Sequence, residues 1–314
     1  MGYTYPAPPA TVGSDLTTIE IHHLLKTPTL IRKRMQDILA QKFIADFLLA
    51  GRFKAVGGSI LYETGEEIFP ADTAEDIAPG GEYPRTVLTS GELAAAKTTK
   101  WGLDTPVTDE AISRFGMDPV NRALRKLANG NIRDVDGAAL GVIASKVTQT
   151  VTVTASTGNV PTGVWTASDD VIIEGILGVK AYLEEQNAGY SFDYNTVVLK
   201  PTQFAKVAGK LIAGGLLPKE SQNAVLSGVL QDYLGLTWVT STNVTGSNPV
   251  LADRDQLGGM ADEDLGGGYT GMDGVQVKSM REDKTDSYLL RARRVTVPVV
   301  LEPKAGAVIS GTGL

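Results

Sequence analysis

The chain has 314 residues, a length that suits one or two domains around a substantial hydrophobic core. Its formal net charge is −7 and it has no cysteine, which excludes disulfide scaffolds, thiolate zinc sites and cysteine nucleophiles and disfavours general nucleic-acid binding. Hydrophobic residues make up 42% and charged residues 21%, as in ordinary globular proteins, whereas 35 glycines predict many turns and loops.

The N-terminal region, residues 1–52, is predicted to be an extended arm followed by an amphipathic helix. Prolines and small polar residues dominate residues 1–26, without the basic leader and apolar run of a signal peptide, so export is not expected. From Pro28 onward, apolar residues recur every three to four positions as far as Gly51. This spacing predicts a helix with one buried face.

Residues 53–91 are predicted to form a long hairpin, with strand-like stretches at 59–64 and 82–89. The centre of the hairpin has no apolar periodicity and no core of its own. An isolated two-stranded ribbon is marginally stable in water, and long structureless connections are usually functional or disordered. We therefore expect the hairpin to need a partner outside itself.

Three regions follow the hairpin. A helix predicted at 118–147 would be about 45 Å long at 1.5 Å per residue, although glycines interrupt its pattern. Residues 165–280 alternate between helical and strand patterns, and the chain then returns to strand. The last long strand is expected to pair with strands near 92–108 and 147–155.

No group of residues has the spacing of a catalytic or metal-binding site. His22 and His23 are adjacent, so they do not share a helix or strand face, and we interpret them as exposed and without function. The motifs of serine hydrolases, zinc peptidases and phosphate-binding loops are absent, and acids 262–264 lack EF-hand spacing. The glycine-rich run at 258–274 is interpreted as a mobile surface loop. No enzyme activity, cofactor or metal is expected.

Charge is distributed unevenly along the chain. Residues 56–90 carry seven acids against one base, whereas residues 1–55 carry seven bases against four acids and residues 112–147 six against three. Opposite charge on different segments favours complementary docking. Because the hairpin is too long to fold neatly onto its own body, docking onto a neighbouring copy is favoured. The alternative is a solvated loop whose charge only aids solubility.

A third basic cluster comprises Arg291, Arg293 and Arg294. Its arginines can contact phosphate groups or lie on an exposed strand face, and the residues alone leave both interpretations open.

The order of these elements resembles that of the major capsid proteins of tailed bacteriophages, which share the Hong Kong phage-type fold with encapsulin shells. The stretch most similar to the family's closing strand is SYLLRARRVTVPVVLEPKAGAVISG, at 287–311. Two further stretches resemble its axial-domain elements: TVVLKPTQFAKV at 196–207 and TWVTSTNVTGSNPVLADRDQLGGMADED at 237–264. The family's usual aromatic residue after the closing proline is missing, since Pro303 precedes Lys304.

This resemblance implies an α+β chain with the Hong Kong phage-type major capsid fold. An N-terminal arm with an amphipathic helix would occupy residues 1–52, and an extended two-stranded loop would occupy 53–91. A peripheral domain with a spine helix at 118–147 would comprise 92–164 and 281–314, and an axial α/β domain would comprise 165–280.

The resemblance also implies a function. Family members self-assemble as hexamers and pentamers into an icosahedral shell that encloses double-stranded DNA through non-specific contacts. The expected location is the virion capsid, assembled in the host cytoplasm. The expected partners are further copies of the chain, a separate scaffolding protein, a portal and decoration proteins. An encapsulin-type compartment is the alternative, although its extended loop is usually shorter.

In such a shell the extended loop would lie across an adjacent subunit. We expect its acids to pair with bases of the neighbour. The acidic set is Glu63, Glu66, Glu67, Asp72, Glu75 and Asp76, and the basic set is Arg32, Arg34, Arg122, Arg125 and Lys126. Some relatives join the loop to another subunit through a lysine, but there is no lysine at 55–96, so non-covalent contacts are expected here.

Overall fold

A computed structural model describes most of the chain. The described residues are 17–27, 29–31, 33, 35, 43–65, 76–77, 79–83, 85, 91–154, 160, 164–165, 169–213, 235–269 and 274–314. Within them the helices are α1 (Thr18–Lys26), α2 (Ile44–Leu48), α3 (Asp109–Phe115), α4 (Asp118–Lys146), α5 (Asp169–Gln186), α6 (Pro201–Ala213), α7 (Arg254–Leu257) and a 3-10 turn (Pro303–Ala305).

Twelve strands are described in the same ranges. They are β1 (Gly51–Lys54), β2 (Ser59–Thr64), β3 (Glu92–Lys97), β4 (Thr99–Thr108), β5 (Thr150–Thr152), β6 (Thr196–Leu199), β7 (Thr237–Thr240), β8 (Val250–Ala252), β9 (Gly258–Asp262), β10 (Val275–Glu282), β11 (Ser287–Val300) and β12 (Gly306–Ser310).

The chain divides into two compact units. The first comprises residues 1–43, 98–135 and 262–296, and the second comprises residues 44–97, 136–261 and 297–314.

The first unit is built around the long strand β11. This strand pairs antiparallel with β10, from Val275↔Arg294 onward, and on its other side with β4. The predicted pairing of the last long strand with a strand near 92–108 is therefore present. Side chains of α1, α3 and the first half of α4 pack with this sheet in one hydrophobic cluster, which includes Ile21, Ile112, Leu124 and Leu290.

Helix α1 lies in a segment for which an extended arm was predicted, and that prediction is wrong for residues 18–26. A capping box starts the helix: Thr17 accepts a hydrogen bond from the Glu20 backbone, and the Glu20 carboxylate accepts one from Thr17. Ile21, Leu24 and Leu25 then bury one face in the core. The ring of His22 lies 5.7 Å from that of Tyr288 and His22 is half-buried, so the prediction of exposure is wrong for His22, whereas His23 is exposed as predicted.

Helix α4 is the predicted long helix, and it ends at Lys146, one residue before the expected boundary. Gly137 and Gly141 lie inside it without breaking it, and a Cβ at either position would meet no neighbouring atom. Asp136, buried in the second unit, accepts hydrogen bonds from the backbone N–H groups of Ile44 and Ala45 at 3.3 and 2.9 Å. This acid therefore caps α2 and contributes nothing to the exposed charge of α4.

The second unit contains a mixed five-stranded sheet in the order β5-β12-β8-β6-β7. Strand β6 pairs parallel with β7 and antiparallel with β8, which matches the α/β pattern predicted for this region. Strand β12 pairs parallel with β5. The prediction that the last long strand also pairs near 147–155 is therefore wrong: among the described strands the partner of β5 is β12, which follows β11 in the chain.

Tyr194 anchors this unit beside the 3-10 turn. Its hydroxyl donates to the Lys304 carbonyl at 2.8 Å and accepts from the Asn187 side chain at 3.0 Å. Burial raises the pKa of Tyr194 to about 12, so the phenol stays protonated and keeps its donor role. Among the described helices, none is long and apolar enough to span a membrane.

Candidate assembly surfaces

A two-stranded ribbon, formed by β2 and β3, is the first candidate surface. The strands pair antiparallel, with Ser59 opposite Lys97 and Thr64 opposite Glu92. The partner of 59–64 is therefore 92–97, and the predicted partner at 82–89 is wrong. In that stretch residues 82, 83 and 85 are described, without regular structure.

The inner face of the ribbon is packed. Ile60, Tyr62 and Ala96 contact a small buried cluster that includes Ala261 and Val299, all within the second unit. The ribbon thus has a core on one side, contrary to the prediction of none. Its position is fixed by these contacts, because a ribbon alone would be marginally stable.

The outer face of the ribbon is exposed and partly apolar. Leu61 is 76% exposed and Leu93 is 78% exposed. Leu61 is opposite Ala95 and Leu93 is opposite Glu63, so the two leucines are diagonal neighbours at about 7–8 Å. Exposed apolar groups that form a contiguous patch mark interaction sites in soluble proteins. The two leucines are therefore a candidate contact surface.

The acidic set is only partly described. Glu63 lies on the outer face of the ribbon, and Glu63 and Asp76 are both exposed. The other members lie outside the described residues, and so do two members of the basic set. They are Glu66, Glu67, Asp72, Glu75, Arg32 and Arg34.

The rest of the basic set lies on the first half of α4. Arg122, Arg125 and Lys126 are all exposed, and none has an ion-pair partner among the described residues. Arg122 and Lys126 also line a groove of about 200 Å³ in the first unit, which we call the basic groove. Three neighbouring cations that have no counter-ion in the described part of the chain form a positive patch that favours an acidic partner.

The third basic cluster is not a free face. Arg291 binds Asp104 through two side-chain nitrogens, and the Asp104 carboxylate raises the pKa of Arg291 above its usual range. Arg294 is 1% exposed and makes a two-point contact with Asp262 at 3.0 and 3.1 Å. Arg293 is also buried, with its guanidinium 3.5 Å from the ring centroid of Tyr269. The described contacts of these arginines are internal, which favours a structural role.

The glycine-rich run is also structured where it is described. Residues 258–262 form β9, and the loop that follows is held by side chains of the first unit. Arg293 donates to the Gly266 carbonyl at 2.7 Å, and Lys278 donates to the Gly267 carbonyl at 2.9 Å. The prediction of a surface loop is therefore wrong for residues 258–262, which form a strand, whereas residues 264–268 are an exposed loop as predicted. Residues 270–273 lie outside the described part.

No group of three or more His, Asp or Glu side chains is arranged to hold a metal ion in the part of the chain that the structure describes. The described candidate surfaces are therefore an apolar ribbon face and a positive patch. Both surfaces expose side chains that can contact another macromolecule, apolar ones on the ribbon and positively charged ones on α4.

Comparison with solved structures identifies the fold. The chain is similar to the capsid of cyanophage P-SCSP1u, with a TM-score of 0.57 and 10% identity over 82% of this chain and 85% of that chain. A phage-related protein from Bordetella bronchiseptica gives a TM-score of 0.54 at 15% identity, over 90% of this chain and 97% of that chain. A virus-like particle from Pyrococcus furiosus gives a TM-score of 0.53 at 10% identity, over 89% of this chain and 97% of that chain. These similarities define an α+β chain with the Hong Kong phage-type capsid fold.

The family follows from the sequence. Residues 91–309 match a family model described as "Phage capsid protein", and the chain belongs to that family. No curated protein sequence matches it. The chain is therefore a structural protein of the virion capsid, with a role in the shell, and not an enzyme.

Proposed function

We propose that the chain is a major capsid protein that assembles as hexamers and pentamers into an icosahedral shell around double-stranded DNA. The observation that carries the proposal is the outer face of the ribbon, where Leu61 and Leu93 are 76% and 78% exposed. A face of this kind is stabilised when a neighbouring copy covers it, because burial removes the apolar surface from water.

Electrostatic contacts between copies complete the proposed assembly. The acidic set of one copy meets the basic set of its neighbour, as charge complementarity favours. Such pairs are screened by salt, so assembly is expected to weaken as ionic strength rises. No lysine occurs at 55–96, and the proposed contacts are accordingly non-covalent.

The roles that we propose for the segments of the chain are those of the capsid fold. Residues 1–52 serve as the arm and 53–91 as the extended loop that reaches the neighbour. Residues 92–164 with 281–314 serve as the peripheral domain and 165–280 as the axial domain. A separate scaffolding protein, a portal and decoration proteins are the further proposed partners, and assembly is proposed to occur in the host cytoplasm.

An encapsulin-type compartment is the second candidate, and one observation favours it. The chain is similar in fold to the virus-like particle from Pyrococcus furiosus, with a TM-score of 0.53. The family match to phage capsid proteins supports the viral alternative. Shells from infected cells that contain nucleic acid and no cargo enzyme would distinguish the virus from the compartment.

The ribbon argument is tested by replacing both exposed leucines with serine, Leu61→Ser and Leu93→Ser. We expect shells to be lost while the denaturant midpoint of the unassembled protein stays unchanged, because neither side chain is buried within one copy. Sedimentation velocity measures the assembled fraction.

The control is Leu177→Ser with Leu265→Ser, which removes two leucines that are 47% and 50% exposed elsewhere on the chain. These changes should leave the assembled fraction as in the wild type. Undiminished shells from the Leu61→Ser, Leu93→Ser protein would contradict the proposed role of the ribbon.

A further inference from the structure

Strand β4 forms an edge of the sheet in the first unit. Among the described strands it pairs only with β11, along the ten residues from Thr99 to Thr108. Most of these residues are exposed. A long exposed edge strand carries backbone N–H and C=O groups without partners, and it can serve as a template on which another chain pairs.

The free backbone groups belong to the even-numbered residues of β4. Every second residue of an antiparallel strand directs its N–H and C=O toward the same neighbour. The N–H of Asp109 donates to the carbonyl of Asp286 at 2.9 Å, in continuation of the pairing with β11, so the odd-numbered residues face β11. Pro106, which has no N–H, is even-numbered, as expected for a proline on an edge strand. The even-numbered residues within 100–104 therefore direct their backbone groups away from β11.

The free edge has a self-complementary sequence. It reads KWGLD from Lys100 to Asp104. When two copies of β4 pair antiparallel about Gly102, Lys100 of each copy lies opposite Asp104 of the other. The same register places Trp101 opposite Leu103. Because β4 has no other charged residue, no other centre of pairing on this strand brings opposite charges together.

The side chains on this edge are available for such pairing. Lys100 is exposed and has no ion-pair partner among the described residues. Asp104 binds Arg291, but a carboxylate can accept more than two hydrogen bonds. Leu103 is 44% exposed and Trp101 is half-buried. Opposite charges directly across two strands stabilise a sheet, and apolar pairs lose contact with water.

The charges also make the edge selective. A lysine on an edge strand discourages pairing with other chains, because burying its charge without a partner is costly. Asp104 of a second copy supplies that partner at the one register described above. The same lysine therefore disfavours unrelated strands and favours a copy of this chain.

We propose that the free edge of β4 pairs with the same edge of a second copy, antiparallel about Gly102, and joins the sheets of the two copies across a two-fold axis. The contact is isologous, since each copy contributes the same residues. This inference rests on the proposed function, because an icosahedral shell brings pairs of copies together across two-fold axes. It assigns a contact that involves neither the ribbon nor the acidic and basic sets.

Introduced cysteines test the register in the full-length protein, because the chain has no cysteine of its own. Gly102→Cys should form a disulfide with the same residue of the second copy and convert most of the assembled chain to a covalent dimer. Hydrogen-bonded partners in an antiparallel pair have Cα atoms about 5.5 Å apart, a distance that a disulfide can span. Non-reducing electrophoresis after mild oxidation measures the dimer fraction.

Lys100→Cys is the matched control on the same strand. Its two copies would lie four residues apart along the paired strands, about 14 Å, so it should not cross-link with itself. An equimolar mixture of Lys100→Cys and Asp104→Cys should cross-link, because those two positions lie opposite each other. The three results together define the centre of pairing.

A charge reversal tests the energetic contribution of the edge. Lys100→Glu places like charges opposite each other at two points of each contact, and it should raise the protein concentration needed for half-maximal assembly by on the order of tenfold. Lys146→Glu makes the same change in net charge on an exposed residue outside this edge and should assemble as the wild type does. Equal effects of the two changes would contradict the proposed pairing.

The outcomes separate this contact from the proposed function. A Cβ at Gly102 would lie 3.1 Å from the Cβ of Arg293, so circular dichroism of the unassembled proteins checks folding, and the Lys100→Cys and Asp104→Cys mixture replaces Gly102→Cys if that variant unfolds. Wild-type shells together with no disulfide in either experiment would overturn the edge contact alone. Cross-linking of Lys100→Cys by itself to the same extent as Gly102→Cys would also overturn it. The absence of wild-type shells would instead overturn the proposed function.

Discussion

Replacing Asp262 by alanine is expected to lower the free energy of unfolding by about 2–3 kcal/mol, the cost of removing a hydrogen-bonded partner from a buried charged group, because Arg294 is buried although the Asp262 side chain is 26% exposed. Arg294 is 1% exposed, and Asp262 accepts from two of its nitrogens at 3.0 and 3.1 Å. The substitution leaves a buried guanidinium without this carboxylate, and desolvation makes that costly. Denaturant unfolding of the unassembled protein measures the change.

Asp104→Ala is the matched control. It removes the partner of Arg291, but the side chains of that pair are 36% and 34% exposed, so water can replace the lost carboxylate. The expected loss is about 1 kcal/mol or less. Equal losses in the free energy of unfolding for the two variants would contradict the larger contribution to stability that we assign to the Arg294 pair.

Gly259→Ala is expected to destabilise the second unit by about 3 kcal/mol, at the upper end of the usual cost of overpacking. A Cβ at this position would overlap the backbone of Gly51 and the ring of Phe53. Strands β1 and β9 are hydrogen-bonded neighbours there, and backbone cannot move aside as a flexible side chain can. Thermal unfolding of the unassembled protein should show a lower midpoint.

Gly137→Ala, made in the wild-type protein, is expected to stabilise it, in contrast to Gly259→Ala. Its Cβ would meet no neighbouring atom, and alanine is favoured over glycine inside a helix by about 0.5–1 kcal/mol. The midpoint should rise slightly. A destabilised Gly137→Ala protein would contradict the description of α4 as a continuous helix at this point.

Elements with strong local signals were predictable from the sequence. Helix α4 starts with Asp118 and Pro119, a typical start signal, and has sustained apolar spacing, and its glycines cost too little to break it. The alternating pattern around 287–300 identified β11, and its pairing with β4 followed from the order of elements. In both cases local propensity and tertiary packing agree, which is why pattern alone sufficed.

Elements fixed by distant contacts were not predictable. A strand was expected near 92–108, but the pairing of β3, which reads ELAAAK, with β2 was not, because that pairing depends on packing over the cluster near Val299. The loop after β9 was interpreted as mobile because nothing in its own residues reveals Arg293 and Lys278 as its anchors. Such contacts are invisible to local sequence patterns.

Of the two candidate surfaces, one was predictable from the sequence and the other was not. The exposure of Arg122, Arg125 and Lys126 fits the amphipathic pattern of α4 and was expected. The leucine pair on the ribbon was missed, although strand β2 carried a signal. Its residues 60–62 are apolar on both faces, which indicates a strand with something to bury on each side.

Electron microscopy of the purified wild-type protein, with and without a co-expressed scaffolding protein, tests the central claim most directly. If neighbouring copies cover the outer face of the ribbon, the protein should yield closed icosahedral shells, or rings of five and six subunits, in at least one condition. A protein that remains a monomer at every concentration and salt tested, with or without scaffold, would contradict the account.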